Sequence, residues 1–127
     1  EFYENPMDAQ IARFFGSNNF LPGMKRGHSV HTTIGEVEIS TTHVADGPVL
    51  LAIRPEVIEI GSNGHNNYPA QVQSYRYGRP ASHCQVSVED VQLDIVTSPF
   101  YDLSDNLPII VHLPKKRIQV LPAEELL

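Results

Sequence analysis

The stretch that decides the fold is the apolar run VLLAI at residues 49–53. Asp46-Gly47-Pro48 precedes this run and Arg54-Pro55 follows it, so turn-forming residues bound it on both sides. The run is too short for an amphipathic helix, and an unbroken apolar segment of this length is typical of a strand covered on both faces. The sequence therefore predicts a central, fully buried strand at this position.

Alternating apolar residues on both sides of this run predict further strands. Upstream, the apolar positions over 30–34 share one parity, Val37 and Ile39 share the other, and Gly35-Glu36 lies at the change. Such a change requires a Gly-X hairpin turn or a bulge. Downstream, strands are predicted at 68–74, at 84–88 paired with 91–96 about Glu89-Asp90, and at 109–113 and 118–121 with a turn at Pro114-Lys115-Lys116.

Only one segment has helical periodicity, and it lies near the N-terminus. Asn5 can cap a helix, Pro6 suits its first turn, and apolar residues at 11, 14 and 15 form a stripe before Gly16. This pattern predicts a helix over 6–15. The many short strands, spaced by about 8–12 residues, indicate a small barrel or sandwich. The predicted fold class is therefore all-β with one short N-terminal helix.

Composition limits the functions that are open to the chain. Its 127 residues suit one domain, and no apolar run approaches the ~18 residues of a membrane span. The net charge of −6 disfavours a nucleic-acid partner, because such partners need a basic surface. The single cysteine, Cys84, permits no internal disulfide and lies in an alternating pattern, which indicates a core thiol in a cytosolic protein. The chain does not begin with methionine, and we expect it to be a piece of a longer protein.

No motif predicts catalysis or a metal site. His28 and His31 lie three apart, a spacing that turns them to opposite faces of a strand, and the sequence has no CxxC, HExxH or G-x-S-x-G pattern. The loop GSNG at 61–64 has the glycines of a phosphate loop but lacks the following lysine and helix, so we interpret it as an irregular loop. The prediction is no catalytic residue, no metal and no cofactor in this chain.

The tripeptide Arg54-Pro55-Glu56 is the candidate functional feature. It comes directly after the buried run, and Pro55 favours an extended backbone at Arg54. Two residues apart, Arg54 and Glu56 can lie on one face and orient the turn through a charge-assisted contact. We expect this tripeptide to fix the turn, with a role in docking a partner domain as the further hypothesis. If the pair is partly buried, the loss of Arg54 should destabilise the domain by about 1–3 kcal/mol.

Several segments, taken in order, resemble the ATP-binding subunits of ABC importers for sugars, polyamines and ferric iron. Residues 1–16 (EFYENPMDAQIARFFG) are similar to the stretch that leads out of the nucleotide-binding domain. Residues 51–56 (LAIRPE) are similar to the Arg-Pro-Glu signature of the accessory TOBE domain, a transport-associated OB-fold domain. Residues 118–122 (IQVLP) resemble the closing strand of that domain, so the resemblance covers nearly the whole chain.

The resemblance implies an architecture and a division of labour. Residues 1–18 would be the tail of the nucleotide-binding domain, and 19–127 a TOBE domain with a small OB-like barrel. Such a domain is a regulatory and dimerisation module, non-catalytic by itself, in a subunit whose upstream part uses ATP and magnesium. The implied partners are its own nucleotide-binding domain, a second copy of the subunit and, indirectly, the membrane subunits, with no nucleic acid. The implied location is the cytoplasmic face of the membrane.

A second interpretation stays open beside the first. Related TOBE domains bind oxyanions such as molybdate, and backbone amides could do so without a basic surface. On that hypothesis the chain is a small-ligand sensor, although no residue set in the sequence identifies its pocket.

Overall fold

The computed structural model describes residues 19–98 and 103–123. These ranges contain ten strands and two short 3₁₀ helices, at Pro55–Val57 and Lys115–Arg117. The strands are β1 (Asn19–Arg26), β2 (Ser29–Thr32), β3 (Gly35–Glu38), β4 (Gly47–Ile53), β5 (Glu59–Ile60), β6 (Asn67–Arg76), β7 (Ser82–Val88), β8 (Val91–Thr97), β9 (Pro108–His112) and β10 (Gln119–Pro122). The predicted all-β class is confirmed. The helix predicted over 6–15 lies outside the described residues, and the boundary between 1–18 and 19–127 stays a prediction.

The strands form two antiparallel five-stranded sheets. Sheet A has the order β10-β4-β1-β2-β3, and sheet B has the order β5-β9-β6-β7-β8. Both sheets curl around one core as an OB-like half-barrel, which confirms the predicted small barrel. A bulge in β6 between Val72 and Ser74 shifts its register against β7 and so bends the strand.

Strand β4 lies inside sheet A, between β1 and β10, as the apolar run predicts. All five residues of that run are at most 6% exposed. Val49, Leu51 and Ile53 point into the main core, while Leu50 and Ala52 form a second cluster with Leu121 on the opposite face. A strand buried on both faces needs apolar residues at successive positions, and this requirement explains the unbroken run.

Two hairpins follow from local sequence. The β2–β3 hairpin is confirmed, but Thr32 pairs with Gly35, so the turn is at Thr33 and Ile34, two residues before the predicted position. The side chain of Thr32 stabilises this turn, because its hydroxyl accepts the Ile34 N–H at 3.1 Å and donates to the Gly35 carbonyl at 2.8 Å. Ile34 is only 5% exposed, so burial of this residue favours the earlier turn.

The second hairpin has the predicted position. Val88 pairs with Val91 across Glu89 and Asp90, whose φ angles are +46° and +67°. Two successive residues with positive φ make a type I′ turn, whose twist matches that of the flanking strands.

The connection after β9 corrects the predicted turn at Pro114-Lys115-Lys116. Strands β9 and β10 exist near the predicted positions, but β9 pairs with β5 and β6 in sheet B, whereas β10 pairs with β4 in sheet A. The 3₁₀ helix Lys115–Arg117 therefore carries the chain from one sheet to the other, and its Ile118 end returns to the core.

Two buried asparagine side chains join the sheets across their seams. Asn19 in β1 donates from Nδ2 to the Asp94 carbonyl and accepts the Asp94 N–H at Oδ1, both at 2.8 Å. Asn66 makes the same two contacts with Glu38, also at 2.8 Å. A side-chain amide offers the donor and acceptor of a peptide group, so each asparagine completes one step of backbone pairing between the sheets. We call these two contacts the amide clasps.

The core fills the space between the inner faces of both sheets. Its least exposed residues come from both, with Leu21, Val30, Leu51 and Ile53 from sheet A and Val72, Val86, Leu93, Ile95 and Val111 from sheet B. Cys84 is 2% exposed among them, which confirms the predicted core thiol. No helix in the described part of the chain is long and apolar enough to cross a membrane.

Candidate functional site

The Arg54-Pro55-Glu56 turn is built as the chain leaves the core at the end of β4. Arg54 is extended, with φ −70° and ψ 142°, as the following Pro55 requires. Pro55 then starts the 3₁₀ helix Pro55–Val57, and the Val57 N–H donates to the Arg54 carbonyl at 3.1 Å. Val57 is 8% exposed and packs in the main core, and this contact holds the turn against the core.

The structure brings Arg54 and Glu56 together at the surface. Arg54 Nη1 lies 4.0 Å from Glu56 Oε2, and the two side chains are 59% and 54% exposed. An exposed pair at this distance contributes at most about 1 kcal/mol, so the larger loss expected for a partly buried pair does not apply here. The charged groups are available to a partner, and their docking role stays a prediction.

A groove of about 590 Å³ begins beside this turn. Pro55 lines one side, and the ends of β6, β7 and β8 line the other. A polar ladder crosses those strands, since Ser74 Oγ donates to Gln85 Oε1 at 3.3 Å and Gln85 Nε2 donates to Asp94 Oδ1 at 3.1 Å. The groove therefore offers amide, carboxylate and hydroxyl groups beside the exposed charges of the turn, a combination suited to holding a polar partner.

A second polar cluster lies on the β2–β3 hairpin. The Ser29 hydroxyl donates to one oxygen of the Glu36 carboxylate, and His31 Nδ1 lies 2.8 Å from the other. The hydrogen bond from Ser29, and then that from His31, lowers the pKa of Glu36 below its usual range. The serine hydroxyl is committed to a carboxylate rather than to an imidazole base, so this cluster lacks the geometry of an activated nucleophile.

The remaining candidate groups give no support for catalysis or metal binding. Burial raises the pKa of the Cys84 thiol, which disfavours the reactive thiolate. In the ranges 19–98 and 103–123, no group of three or more His, Cys, Asp or Glu side chains could hold a metal ion.

Sequence reasoning missed three residues that organise the structure. Asn19 and Asn66 form the amide clasps, and Lys25, although 7% exposed, has its ammonium 2.9 Å from Asp46 Oδ1. Asn66 also has a φ of +60°, a conformation that asparagine adopts more readily than most residues do. Local sequence does not mark these residues, because asparagine is common near turns and the partners lie 75, 28 and 21 residues away along the chain.

Comparisons with known proteins agree with the fold and with the sequence resemblance. No family model matches the chain. It is 27% identical over 96 residues to the spermidine/putrescine import ATP-binding protein PotA of Ruegeria pomeroyi, covering 71% of this chain and 26% of that protein. The chain thus spans about a quarter of the length of the curated relative that it matches.

A solved structure with the same fold is the cytoplasmic molybdate-binding protein ModG with molybdate bound. The two superpose with a TM-score of 0.68 at 10% identity, over 82% of this chain and 95% of that chain. This likeness shows the fold, and the match to PotA is a similarity to part of an import ATP-binding protein. Both findings support the resemblance of the LAIRPE motif at 51–56 to the TOBE-type domain of ABC importer ATP-binding subunits.

Proposed function

We propose that this domain is the accessory pairing and regulatory module of an ABC importer's ATP-binding subunit, and that it is not catalytic by itself. The observation that carries the proposal is the Arg54-Pro55-Glu56 turn, which is fixed to the core through Val57 yet leaves both charged side chains exposed beside a groove. A rigid, charged and exposed feature is suited to holding a neighbouring domain in one orientation.

Pairing would act on the ATPase through effective concentration. A domain that stays associated with its twin keeps the tethered ATPase halves near each other while they open and close. Under this proposal the partners are the domain's own nucleotide-binding domain, the second copy of the subunit and, through them, the membrane subunits. ATP and magnesium would be used upstream, with no cofactor held by this domain, at the cytoplasmic face of the membrane.

The test is self-association of the chain, measured by sedimentation equilibrium, together with ATP hydrolysis. We expect reversible dimers and no magnesium-dependent turnover. Charge reversal at the turn, Arg54→Glu, should weaken the dimer or its contact with the ATPase half. The matched control is Arg117→Glu, an exposed arginine on the other 3₁₀ helix. A chain that stays monomeric at high concentration, alone and fused to its ATPase half, would contradict the proposal.

The second candidate function is oxyanion sensing, and the likeness to the molybdate-bound ModG structure favours it. A thermal-shift titration with molybdate, tungstate and sulfate separates the two functions. Stabilisation that grows with ligand concentration supports a sensor, because a ligand that binds only the folded state raises its stability by mass action. If none of these anions raises the melting temperature, the result favours the pairing module over the sensor.

A further inference from the structure

A second groove, of about 460 Å³, lies at the opposite end of sheet B from the Arg54 turn and combines several basic groups. We call it the lysine groove. One wall is the loop Asn63-Gly64-His65, the other is Pro114-Lys115-Lys116, and His112 of β9 also lines it. This loop overlaps the GSNG segment at 61–64, which has the glycines of a phosphate loop but no lysine after them. The fold supplies two lysines from a segment fifty residues further along the chain.

The two walls of the lysine groove are held at a fixed separation. Asn66 Nδ2 donates to the Leu113 carbonyl at 3.1 Å, and the Leu113 N–H donates to the Asn66 carbonyl at 3.0 Å. On the loop side, Asn67 Oδ1 accepts the Asn63 N–H at 3.0 Å and Asn67 Nδ2 donates to the Gly64 carbonyl at 2.8 Å. The groove is therefore formed before any ligand arrives, which lowers the entropy cost of binding.

His112 provides the observation that points to a ligand. It is 8% exposed, and its buried Nδ1 has no hydrogen-bond partner among the described residues. A buried polar atom without a partner is costly, and it calls for an explanation such as a bound ion, water or ligand, strain or a functional role. Asn67 and Glu59 lie opposite His112 on the two neighbouring strands of sheet B. The Asn67 side chain already accepts a hydrogen bond from the Asn63 N–H in the loop.

The charges around the lysine groove select an anion. Neither Lys115 nor Lys116 makes an ion pair with a carboxylate of the described residues. Two acids lie nearby: Glu38, whose Oε2 is 3.4 Å from His65 Nδ1, and Glu59 on the neighbouring strand. Glu38 is engaged by His65, so among the described residues two unpaired ammonium groups face one unpaired carboxylate, that of Glu59, and this balance disfavours a cation.

We propose that the lysine groove binds a small organic molecule through a phosphate monoester group. A phosphate monoester carries a charge of about −1.5 to −2 at neutral pH and matches two ammonium groups better than a single carboxylate does. The groove volume lies in the range of pockets for organic ligands, so the body of the molecule can rest against Pro114 and the His65 ring. This site is separate from the Arg54 turn and does not depend on the pairing function.

The test is a titration of the ¹⁵N-labelled full chain with glycerol 2-phosphate, followed by backbone and imidazole NMR resonances. Inorganic phosphate, sulfate and molybdate are titrated in parallel. We expect saturable shifts at Gly64, His65, Lys115 and Lys116 and in the His112 ring, with glycerol 2-phosphate binding more tightly than inorganic phosphate. Equal affinity for the two would show a site for the free ion and contradict the organic ligand.

Variants locate the binding. The double variant Lys115→Met, Lys116→Met changes only exposed side chains and should weaken binding by about tenfold or more, because a hydrogen bond to a charged group is worth at least that factor. The matched control, Arg117→Met, removes the adjacent exposed charge, which does not line the groove, and should leave the affinity within about twofold. Unchanged binding by the double variant, an unmoved His112 ring, or no saturable shift with any phosphate would overturn the proposal.

Discussion

The amide clasp at Asn66 allows the sharpest test of what holds the two sheets together. Its side chain accepts the Glu38 N–H and donates to the carbonyls of Glu38 and Leu113, at 2.8, 2.8 and 3.1 Å. Replacing Asn66 by glycine removes these three hydrogen bonds and the longer one that Oδ1 accepts from the Tyr68 hydroxyl at 3.3 Å, while the φ of +60° stays accessible. Each bond contributes about 0.5–1.5 kcal/mol, so Asn66→Gly should lower the free energy of unfolding by about 3 kcal/mol.

The alanine variant adds a second, separable effect. An L-residue with a Cβ at this left-handed φ costs about a further 1 kcal/mol, so Asn66→Ala should lose about 4 kcal/mol. Urea unfolding followed by circular dichroism measures both values, and the chain has no tryptophan to report by fluorescence. Losses of this size are a large share of the stability of an ordinary domain, so both variants should be measured at low temperature.

Asn106 supplies the matched control for Asn66. It has nearly the same backbone conformation, with a φ of +66°, but it is exposed and its side-chain amide bonds to none of the described residues. Asn106→Gly should therefore change the free energy of unfolding by less than about 0.5 kcal/mol. If Asn66→Gly were as mild as Asn106→Gly, the clasp would be incidental and the sheets would be joined by core packing alone.

Three further predictions concern the other features. The Lys25 ammonium, and then the Gly27 N–H, lowers the pKa of Asp46, so its contribution to stability is full above the unfolded pKa of about 4 and is lost as the pH falls through the lower folded pKa. Asp46→Asn should flatten the acid side of a plot of urea midpoint against pH, and an unchanged acid slope would contradict this linkage. Cys84 should react with iodoacetamide far more slowly in buffer than in urea at pH 8, and equal rates would mean an exposed thiol. Arg54→Ala should cost less than about 1 kcal/mol of stability yet reduce transport by the full-length subunit more than its ATP hydrolysis; equal losses of the two activities would place Arg54 outside the docking surface.

Strands could be predicted from the sequence where the pattern of apolar residues shows which faces of the strand are buried. The run at 49–53 has apolar residues at every position because β4 is covered on both sides, and the Glu89-Asp90 turn lies between two segments of clear alternation. The sequence predicts the β2–β3 turn two residues too late because the change of parity between the apolar positions falls at Gly35-Glu36. In the structure Ile34 lies within the turn and is still buried, so the parity of the apolar residues alone does not locate the turn.

The candidate sites were less accessible to sequence reasoning. The Arg54-Pro55-Glu56 turn is contiguous and can be singled out from the sequence, but its exposure depends on how Val57 packs in the core. The lysine groove joins 63–65 to 112–116, and local spacing cannot reveal that these segments meet. The destination of β10 in sheet A rather than beside β9 likewise follows from the pairing of β4, which is a property of the whole fold.

The amide clasps also affect how the domain meets other chains. Strands β3 and β8 are edge strands, and an edge normally presents free N–H and C=O groups that another chain can extend by strand pairing. The side chain of Asn66 hydrogen-bonds to the N–H and C=O of Glu38, and that of Asn19 does the same at Asp94. At these two residues the edge strands therefore have no free backbone groups for another chain to pair with. The two other edges are the two-residue β5 and β10, which ends in Pro122 and so lacks a donor there. Two copies of this domain should therefore recognise each other by side-chain contacts rather than by a shared sheet.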